Sequence, residues 1–307
     1  MAATFVVAGI VNRQVKTRMS GFTNKLVAVT GASGFVGRNL VKRLRLDGAK
    51  VLELSRASGF DILSDQANLE GVTHVFHIAG LTGIPHAWKE PVAFFETNAL
   101  GTMRILEQCR LANCPMTFLS AYIYGAPQFL PITEQHPVVA NNPYGFSKRV
   151  AEDACTFYVQ NYGLRCVSLR LFNTYGPGQS SDFLLPFIVE QVLDDSREAI
   201  EVQDLEPRRD YVFVDDVVDA IVSAQSAAPG SVFNIGSGVT YSVEEVIQLT
   251  LRAAGRQKPY RAMGEKRKNE VNCVQADISA LQQATGWRPR TSLADGIRKL
   301  IENAGRP

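Results

Sequence analysis

Lys25-Leu-Val-Ala-Val-Thr-Gly-Ala-Ser-Gly-Phe-Val-Gly-Arg-Asn-Leu40 decides the fold of this 307-residue chain. Lys25–Thr30 is a short apolar run rich in β-branched residues, and it reads as a buried strand. Phe35 to Asp47 has helical spacing and is closed by Gly48. Between them Gly31, Gly34 and Gly37 make a G-x-x-G-x-x-G run, looser than the common G-x-G-x-x-G. Without side chains the backbone turns sharply and lets an anion approach the helix N-terminus, where free N–H groups and the helix dipole favour negative charge. Placed between a strand and a helix, Gly31, Ser33, Gly34, Phe35, Val36 and Gly37 read as the cradle for a dinucleotide pyrophosphate.

Working outward, strands are expected at Lys50–Ser55, Val72–Ala79, Met116–Ser120 and Arg165–Leu171, with helices at Thr97–Leu111 and Phe146–Tyr162. Strands separated by helices imply an α/β fold with a doubly wound parallel sheet. After Phe172 the pattern fades into a stretch richer in Pro and Gly, with helices near Phe183–Asp195, Val214–Ala227 and Val243–Ala254. The expected division is 25–172 for the dinucleotide-binding domain and 173–307 for a smaller mixed α/β domain, some of whose segments return to the first. Residues 1–24 stand apart. Ala2–Val11 is too short to span a membrane, and the positive charges of Arg13, Lys16 and Arg18 follow the apolar run instead of preceding it as in a secretory signal. The lack of any acid before Asp47 is a faint mark of a transit peptide. The simpler reading takes Met19 as the natural start and 1–24 as an extension outside the fold.

With 32 Lys and Arg against 30 Asp and Glu, the chain lacks the basic excess of a general nucleic-acid or membrane-surface binder. Its five cysteines are scattered, with no C-x-x-C pair, and read as reduced thiols filling the core of a cytoplasmic protein. His74, His77, His86 and His136 lack metal-ligand spacing, so no metal is expected.

The tip of the second strand selects the dinucleotide. An NAD enzyme would place an acid there to accept from the ribose hydroxyls. Ser55-Arg56 instead offers a hydroxyl and a guanidinium, which suit the 2′-phosphate of NADP. Glu53 competes for the ribose but lies within the strand, and Arg56 is also readable as a solvated loop cation. NADP(H) is favoured and NAD(H) remains possible. Asp61-Ile62 would flank the adenine.

Farther along, Asn142-Pro-Tyr-Gly-Phe-Ser-Lys148 puts Tyr144 and Lys148 four residues apart, on one helix face. The ammonium is expected to draw the phenol's pKa, about 10 when unperturbed, toward neutrality. A phenol so tuned trades a proton with an alcohol or ketone, as hydride transfer between a sugar and a nicotinamide requires.

Several ordered motifs accompany this pair: His77-Ile-Ala-Gly80, Thr97-Asn-Ala-Leu-Gly-Thr102, Ser120-Ala-Tyr-Ile-Tyr-Gly125, Arg170-Leu-Phe-Asn-Thr-Tyr-Gly-Pro-Gly178, Arg209-Asp-Tyr-Val-Phe-Val-Asp-Asp216 and Phe233-Asn-Ile-Gly-Ser-Gly238. Together they resemble the extended branch of the short-chain dehydrogenase/reductase superfamily, the nucleotide-sugar epimerases, dehydratases and reductases, from about Lys25 to the C-terminus. The resemblance implies a Rossmann domain followed by a substrate domain, and it implies roles for single residues. Tyr144 is then the acid/base, Lys148 its cationic partner on the nicotinamide ribose, and Ser120 a hydrogen-bonding group at the same sugar oxygen. Ala79, Gly80 and Asn98 line the cofactor, Asn98 being more structural than catalytic. Thr82, Tyr122 and Asn173 face the substrate, and Arg209 and Arg267 clamp its diphosphate. Lys266-Arg267-Lys268 departs from the family pattern and reads equally as an exposed basic run. A homodimer through helices Thr97–Leu111 and Phe146–Tyr162 is implied as well, with Met103, Leu106, Cys155 and Tyr158 meeting a partner or packing inside the monomer.

Some chemistry is disfavoured. Family dehydratases carry Thr-Asp-Glu where this chain has Ser120-Ala121-Tyr122, and decarboxylating relatives need a glutamate at the Tyr122 position. Two enzymatic readings survive. The Ser55-Arg56 tip, and the likeness of His77–Pro91 to reductases that finish 6-deoxyhexoses such as rhamnose or fucose, favour NADPH-dependent reduction of a nucleotide-diphosphate 4-keto-6-deoxyhexose. A nucleotide-sugar 4-epimerase holding NAD is the alternative. A cofactor-sensing non-enzyme is remote, since such proteins typically lose the Tyr or Lys that are both present here.

Overall fold

The computed structural model describes residues 21–264 and 271–304. The first half runs β1 (Leu26–Thr30), α1 (Phe35–Leu46), β2 (Lys50–Leu54), β3 (Val72–His77), α2 (Ile84–Lys89), α3 (Pro91–Phe94), α4 (Gly101–Leu111), β4 (Met116–Ala121), α5 (Pro143–Tyr162) and β5 (Cys166–Leu171). The second half runs β6 (Asn173–Tyr175), α6 (Leu184–Leu193), β7 (Ile200–Val202), β8 (Arg208–Phe213), α7 (Val214–Ala224), β9 (Val232–Ile235), β10 (Thr240–Ser242), α8 (Val243–Ala254), β11 (Tyr260–Ala262), β12 (Cys273–Val274), α9 (Ser279–Thr285) and α10 (Leu293–Ala304).

Six parallel strands form the main sheet in the order β2-β1-β3-β4-β5-β9. The chain goes outward from β1 to β2, then returns to β3 on the other side. That reversal opens a crevice outside the carboxyl ends of β1 and β3, the position where doubly wound sheets bind ligands. Apolar strands buried on both faces require cover on both faces. On one side Leu40 and Leu44 of α1 pack with Val217 and Ile221 of α7. On the other, Ile105, Leu106 and Cys109 of α4 pack with Ala151 and Cys155 of α5 over Val75, Met116 and Phe118. A further core joins α6, α8 and α10 to the small sheets, through Ile188, Val192, Val246, Ile247 and Ile297. All five cysteines are free, four of them buried; burial raises the Cys109 thiol far above its ordinary range, and the neighbouring Cys155 together with burial does the same to Cys166. Among the described residues no helix is long and apolar enough to cross a membrane.

Three departures from the expected elements shape the crevice. β3 stops at His77, because the Thr30 hydroxyl accepts hydrogen bonds from the Ile78 and Ala79 N–H groups, both at 3.1 Å, and draws the chain out of the ladder. α5 begins at Pro143, three residues before the expected start. Asn142 caps it by accepting from the Gly145 N–H at 2.8 Å, and proline fits the first turn because its missing N–H would have no helical partner. The helix expected over Thr97–Leu111 is preceded and partly replaced by a wider π-helical turn, Phe95–Leu100. The short helices α2 and α3 and the C-terminal helices α9 and α10 were not foreseen.

Candidate active site

The glycine turn is built for close approach. Gly31 sits at φ +66°, where a Cβ would also lie 2.7 Å from the Ala79 Cα. A Cβ on Gly37 would overlap the Gly31 carbonyl, so α1 packs directly onto the turn. Gly34 caps α1 in an extended conformation and brings no side chain to the first-turn N–H groups, which leaves them directed at an incoming anion. Ser33 is exposed on the turn, whereas Val36 is buried in the core and Phe35 packs against it. Gly37→Ala should destabilise the protein by about 1–3 kcal/mol through overpacking and weaken dinucleotide binding; a urea melt and a cofactor titration identical to the parent's would contradict this geometry.

At the far end of that turn the candidate residues separate. Ser55 is buried at the tip of β2 and starts the short turn Arg56–Ser58, on which Arg56 is exposed. Glu53 is partly exposed and paired with α1, Arg45 donating to its carboxylate at 2.6 Å. A groove of about 510 Å³ runs beside them, lined by Ser33, Arg38, Lys42, Arg45 and Glu53. Three cations there face one acid. Asp61 accepts from the Leu63 N–H at 2.9 Å, and Ile62 packs against Gly101 at the start of α4.

Two of the catalytic candidates, Ser120 and Lys148, meet at the carboxyl end of β4. Ser120 is buried, and its hydroxyl has no hydrogen-bond partner among the described residues. Lys148 is buried on α5; its Nζ donates to the Leu119 carbonyl at 2.6 Å and lies 4.4 Å from the Phe118 ring centroid. Burial lowers the Lys148 pKa from 10.5 to about 8. Tyr144 lies one helical turn before it, partly buried, with Phe94 edge-on at 6.2 Å. The phenol departs from the sequence expectation: burial raises its pKa to about 12, with no opposing pull from Lys148. The ammonium is directed at a carbonyl and an aromatic face instead, and desolvation of the phenolate dominates.

Asn98, fully buried in the π-helical turn, does not act on its own. Its side-chain oxygen accepts from the Leu81 N–H at 2.7 Å, and its amide donates to the Leu81 carbonyl at 3.1 Å and to the Ser147 hydroxyl at 2.9 Å. It thereby ties the stretch after β3, with Ala79 and Gly80, to the catalytic helix. A Cβ on Gly80 would come within 3.0 Å of the Asn98 oxygen and 3.6 Å of the Lys148 Nζ. His77 links Thr30 at 2.7 Å to Thr102 at 2.9 Å. Burial, then Lys148, lowers its pKa to about 3, so the ring is neutral and structural.

The substrate candidates come from three elements. Tyr122 donates to the Gly125 carbonyl and meets Phe172 edge-on at 5.3 Å. Its pKa rises to about 12 through burial, offset in part by the nearby Arg209. Asn173, in register with Tyr211 across the β6–β8 pair, donates to the Asp210 carbonyl at 3.3 Å. The Arg209 guanidinium donates to the Arg208 carbonyl at 2.9 Å. Tyr122, Asn173 and Arg209 are thus neighbours, while Thr82 sits exposed just beyond Leu81. Arg267 lies outside the described residues. The Phe118 ring, the Leu119 carbonyl and Ser147 escaped the sequence reading. Only the burial of β4 marks the first two, and Ser147 reads as ordinary helix.

This constellation fits a nicotinamide dinucleotide: a side-chain-free cradle for a diphosphate stands beside an orphaned buried hydroxyl, a phenol and a buried ammonium. A family model described as the NAD dependent epimerase/dehydratase family matches residues 27–236. The chain is similar to a UDP-glucose 4-epimerase of Mycolicibacterium smegmatis, 31% identical over 308 residues that cover 89% of this chain and 96% of the relative. It is similar to a GDP-6-deoxy-D-mannose reductase of Pseudomonas aeruginosa, 30% identical over 292 residues, covering 90% and 95%. The solved structure of RMD from Pseudomonas aeruginosa, complexed with NADPH, aligns with a TM-score of 0.80 at 26% identity, covering 91% of this chain and 98% of that one.

Proposed function

The chain belongs to the NAD dependent epimerase/dehydratase family, and within it we propose that this protein reduces the 4-keto group of a nucleotide-diphosphate 4-keto-6-deoxyhexose with NADPH. As a family member it is an NAD(P)-dependent enzyme of the nucleotide-sugar epimerase and reductase kind. One observation carries the finer reading. The acid that could take a ribose diol, Glu53, is held by Arg45 at 2.6 Å, and the strand tip offers Ser55 and Arg56 instead. A 2′-phosphate is the group that a hydroxyl and a guanidinium complement. NADPH in turn suits net reduction, in which each turnover consumes a fresh cofactor.

The bound dinucleotide supplies the hydride. The chain supplies position and proton. Gly31 to Gly37, Ala79 and Gly80 hold the diphosphate and nicotinamide side, Ser55, Arg56, Asp61 and Ile62 the adenosine side. Tyr144 gives its proton to the sugar oxygen, Ser120 donates a hydrogen bond to the same atom, and Lys148, one turn further along α5, holds the nicotinamide ribose. A phenol at about 12 in the free protein is a secure proton store. Thr82, Tyr122, Asn173 and Arg209 line the sugar diphosphate; Arg267, the other clamp candidate of the sequence, lies outside the described residues. Residues 25–172 then carry the dinucleotide and 173–307 most of the substrate site. A homodimer, if formed through α4 and α5, uses Leu100, Met103, Phe146 and Phe157, which are exposed, whereas Leu106 and Cys155 belong to the monomer core. The buried free thiols agree with a cytoplasmic setting.

The alternative, a 4-epimerase with tightly held NAD, draws on the 31% identity to the mycobacterial epimerase. Incubation with NADPH and a panel of nucleotide 4-keto-6-deoxyhexoses decides between them. Cofactor oxidation supports reduction; silence there, with interconversion of 4-epimeric nucleotide sugars in the absence of NADPH, selects epimerisation. Arg56→Ala should raise the KM for NADPH about 10–100-fold, the worth of one charge-assisted contact, and leave that for NADH nearly unchanged. Equal effects on both cofactors would remove the case for a 2′-phosphate contact.

A further inference from the structure

A buried polar network outside the reacting groups runs beneath the catalytic helix. Arg170 of β5 is in register with Ser120 of β4 on one side and Asn234 of β9 on the other. Its Nε donates to the two Glu152 carboxylate oxygens at 3.0 and 3.1 Å, and its Nη2 donates to one of them as well. Its Nη1 donates to the Tyr124 hydroxyl at 2.9 Å and to the Glu134 carbonyl at 3.1 Å. Tyr124 donates on to the Asn234 side-chain oxygen at 2.6 Å. Asn234 then ties in the Glu134 carboxylate at 2.8 Å, through its backbone N–H, and the Ile132 and Asp277 carbonyls at 2.9 and 3.2 Å, through its side-chain amide. Arg170, Glu152, Tyr124 and Asn234 are all buried.

Stability alone is a poor reason for such an arrangement. Taking two charges out of water costs several kcal/mol per ion, and apolar replacements of similar volume are often neutral or stabilising. Geometry supplies a better one. The buried face of α5 consists of Gly145, Ser147, Lys148, Ala151, Glu152, Ala154 and Cys155. Around Lys148 that face is built mostly of small residues, with few knobs to fix where the helix sits along its own axis; Tyr158 and Val159 pack on the core only in its last turns. Directional bonds then set that position: Ser147 and Lys148 meet Asn98 and Leu119, and the bidentate Arg170–Glu152 contact adds a charged anchor one turn beyond Lys148 and two beyond Tyr144.

We propose that Arg170 and Glu152 are positioning residues that hold α5 in axial register on β4 and β5, so that Tyr144 and Lys148 stay aligned with Ser120. Tyr124 and Asn234 extend the same bracing to the 126–142 loop and to Asp277. The proposal rests on the reading of Tyr144 as the acid/base.

The test is the double variant Glu152→Met/Arg170→Met in the full-length protein, with Tyr124→Phe beside it. The expected double variant melts within a few degrees of the parent and binds NADPH within about threefold, yet loses about 10²-fold in kcat with KM nearly constant, as a displacement of about 1 Å at the reacting groups would cause. A kcat within twofold of the parent, in a folded double variant, overturns the proposal. If the double variant does not fold, Tyr124→Phe, which removes one hydroxyl, is expected to lower kcat at least fivefold; unchanged kcat is the overturning result. Where the parent turns over neither class of sugar, the reductase and epimerase readings fail together, and crystal structures of parent and variants judge the positioning alone. A shift of Tyr144 Oη relative to Ser120 Oγ by about 1 Å supports it, and superposable side chains reject it.

Discussion

Tyr144→Phe is expected to lower kcat by about 10²–10⁴-fold, the usual contribution of a positioned general acid, with dinucleotide affinity within a few-fold of the parent. The phenyl ring keeps its edge-on contact with Phe94 at 6.2 Å, so the variant removes a proton and little else. Steady-state turnover beside a cofactor titration separates the two effects. Because burial holds the phenol near 12 in the free protein, it remains a proton donor across the whole physiological range, and loss of activity on the alkaline side should come from another group. Activity within tenfold of the parent would falsify the assignment of the proton to Tyr144. Ser120, buried with a hydroxyl that has no partner among the described residues, would then be the next residue to test.

Lys148→Met should pair a similar loss of turnover with a gain in stability. Folding lowers the Lys148 pKa from 10.5 to about 8 through burial. Between those values the unfolded chain binds a proton that the folded protein does not, so the parent becomes more stable as pH rises from about 8 to 10.5. Below pH 8 the full cost of keeping a buried ammonium is present, on the order of 3 kcal/mol at 1.36 kcal/mol per pKa unit. Methionine has no charge to desolvate. It forfeits the hydrogen bond to Leu119 and the contact with the Phe118 ring, worth about 1 kcal/mol each. The variant should therefore melt at or above the parent at pH 7, and the advantage should reverse toward pH 10.5. Denaturant midpoints at the two pH values test this; a variant less stable than the parent by the same margin at both would show that the ammonium carries no burial cost. In the parent, activity should decline above about pH 8 as the ammonium is lost.

How much was legible in the sequence depends on how local the determining physics is. The β1 strand, the glycine turn and α1 follow from a run of apolar and side-chain-free residues, and the structure places them where the sequence does. The Asn142-Pro143 pair carries a cap signal, but helical periodicity becomes plain only at Phe146, because the first turn is one that needs no proline N–H. The π-helical turn around Asn98 has no sequence signal, since its extra width serves the contacts with Leu81 and Ser147. The direction of the Tyr144 shift was misjudged for the same reason. Spacing of four residues puts an ammonium near a phenol, but only packing reveals that the ammonium bonds a carbonyl while the phenol is desolvated.

The sequence by itself determined the parallel α/β architecture, the glycine turn and the placing of Tyr144 and Lys148 on one helix face, because periodicity, turn chemistry and side-chain type act over a few residues. Only the tertiary structure decided that Arg45 pairs with Glu53, that Lys148 bonds Leu119, and that Arg170 joins Glu152, Tyr124 and, through the latter, Asn234. These contacts join segments remote in the chain. Their energies depend on burial and direction, which no local pattern of residues encodes.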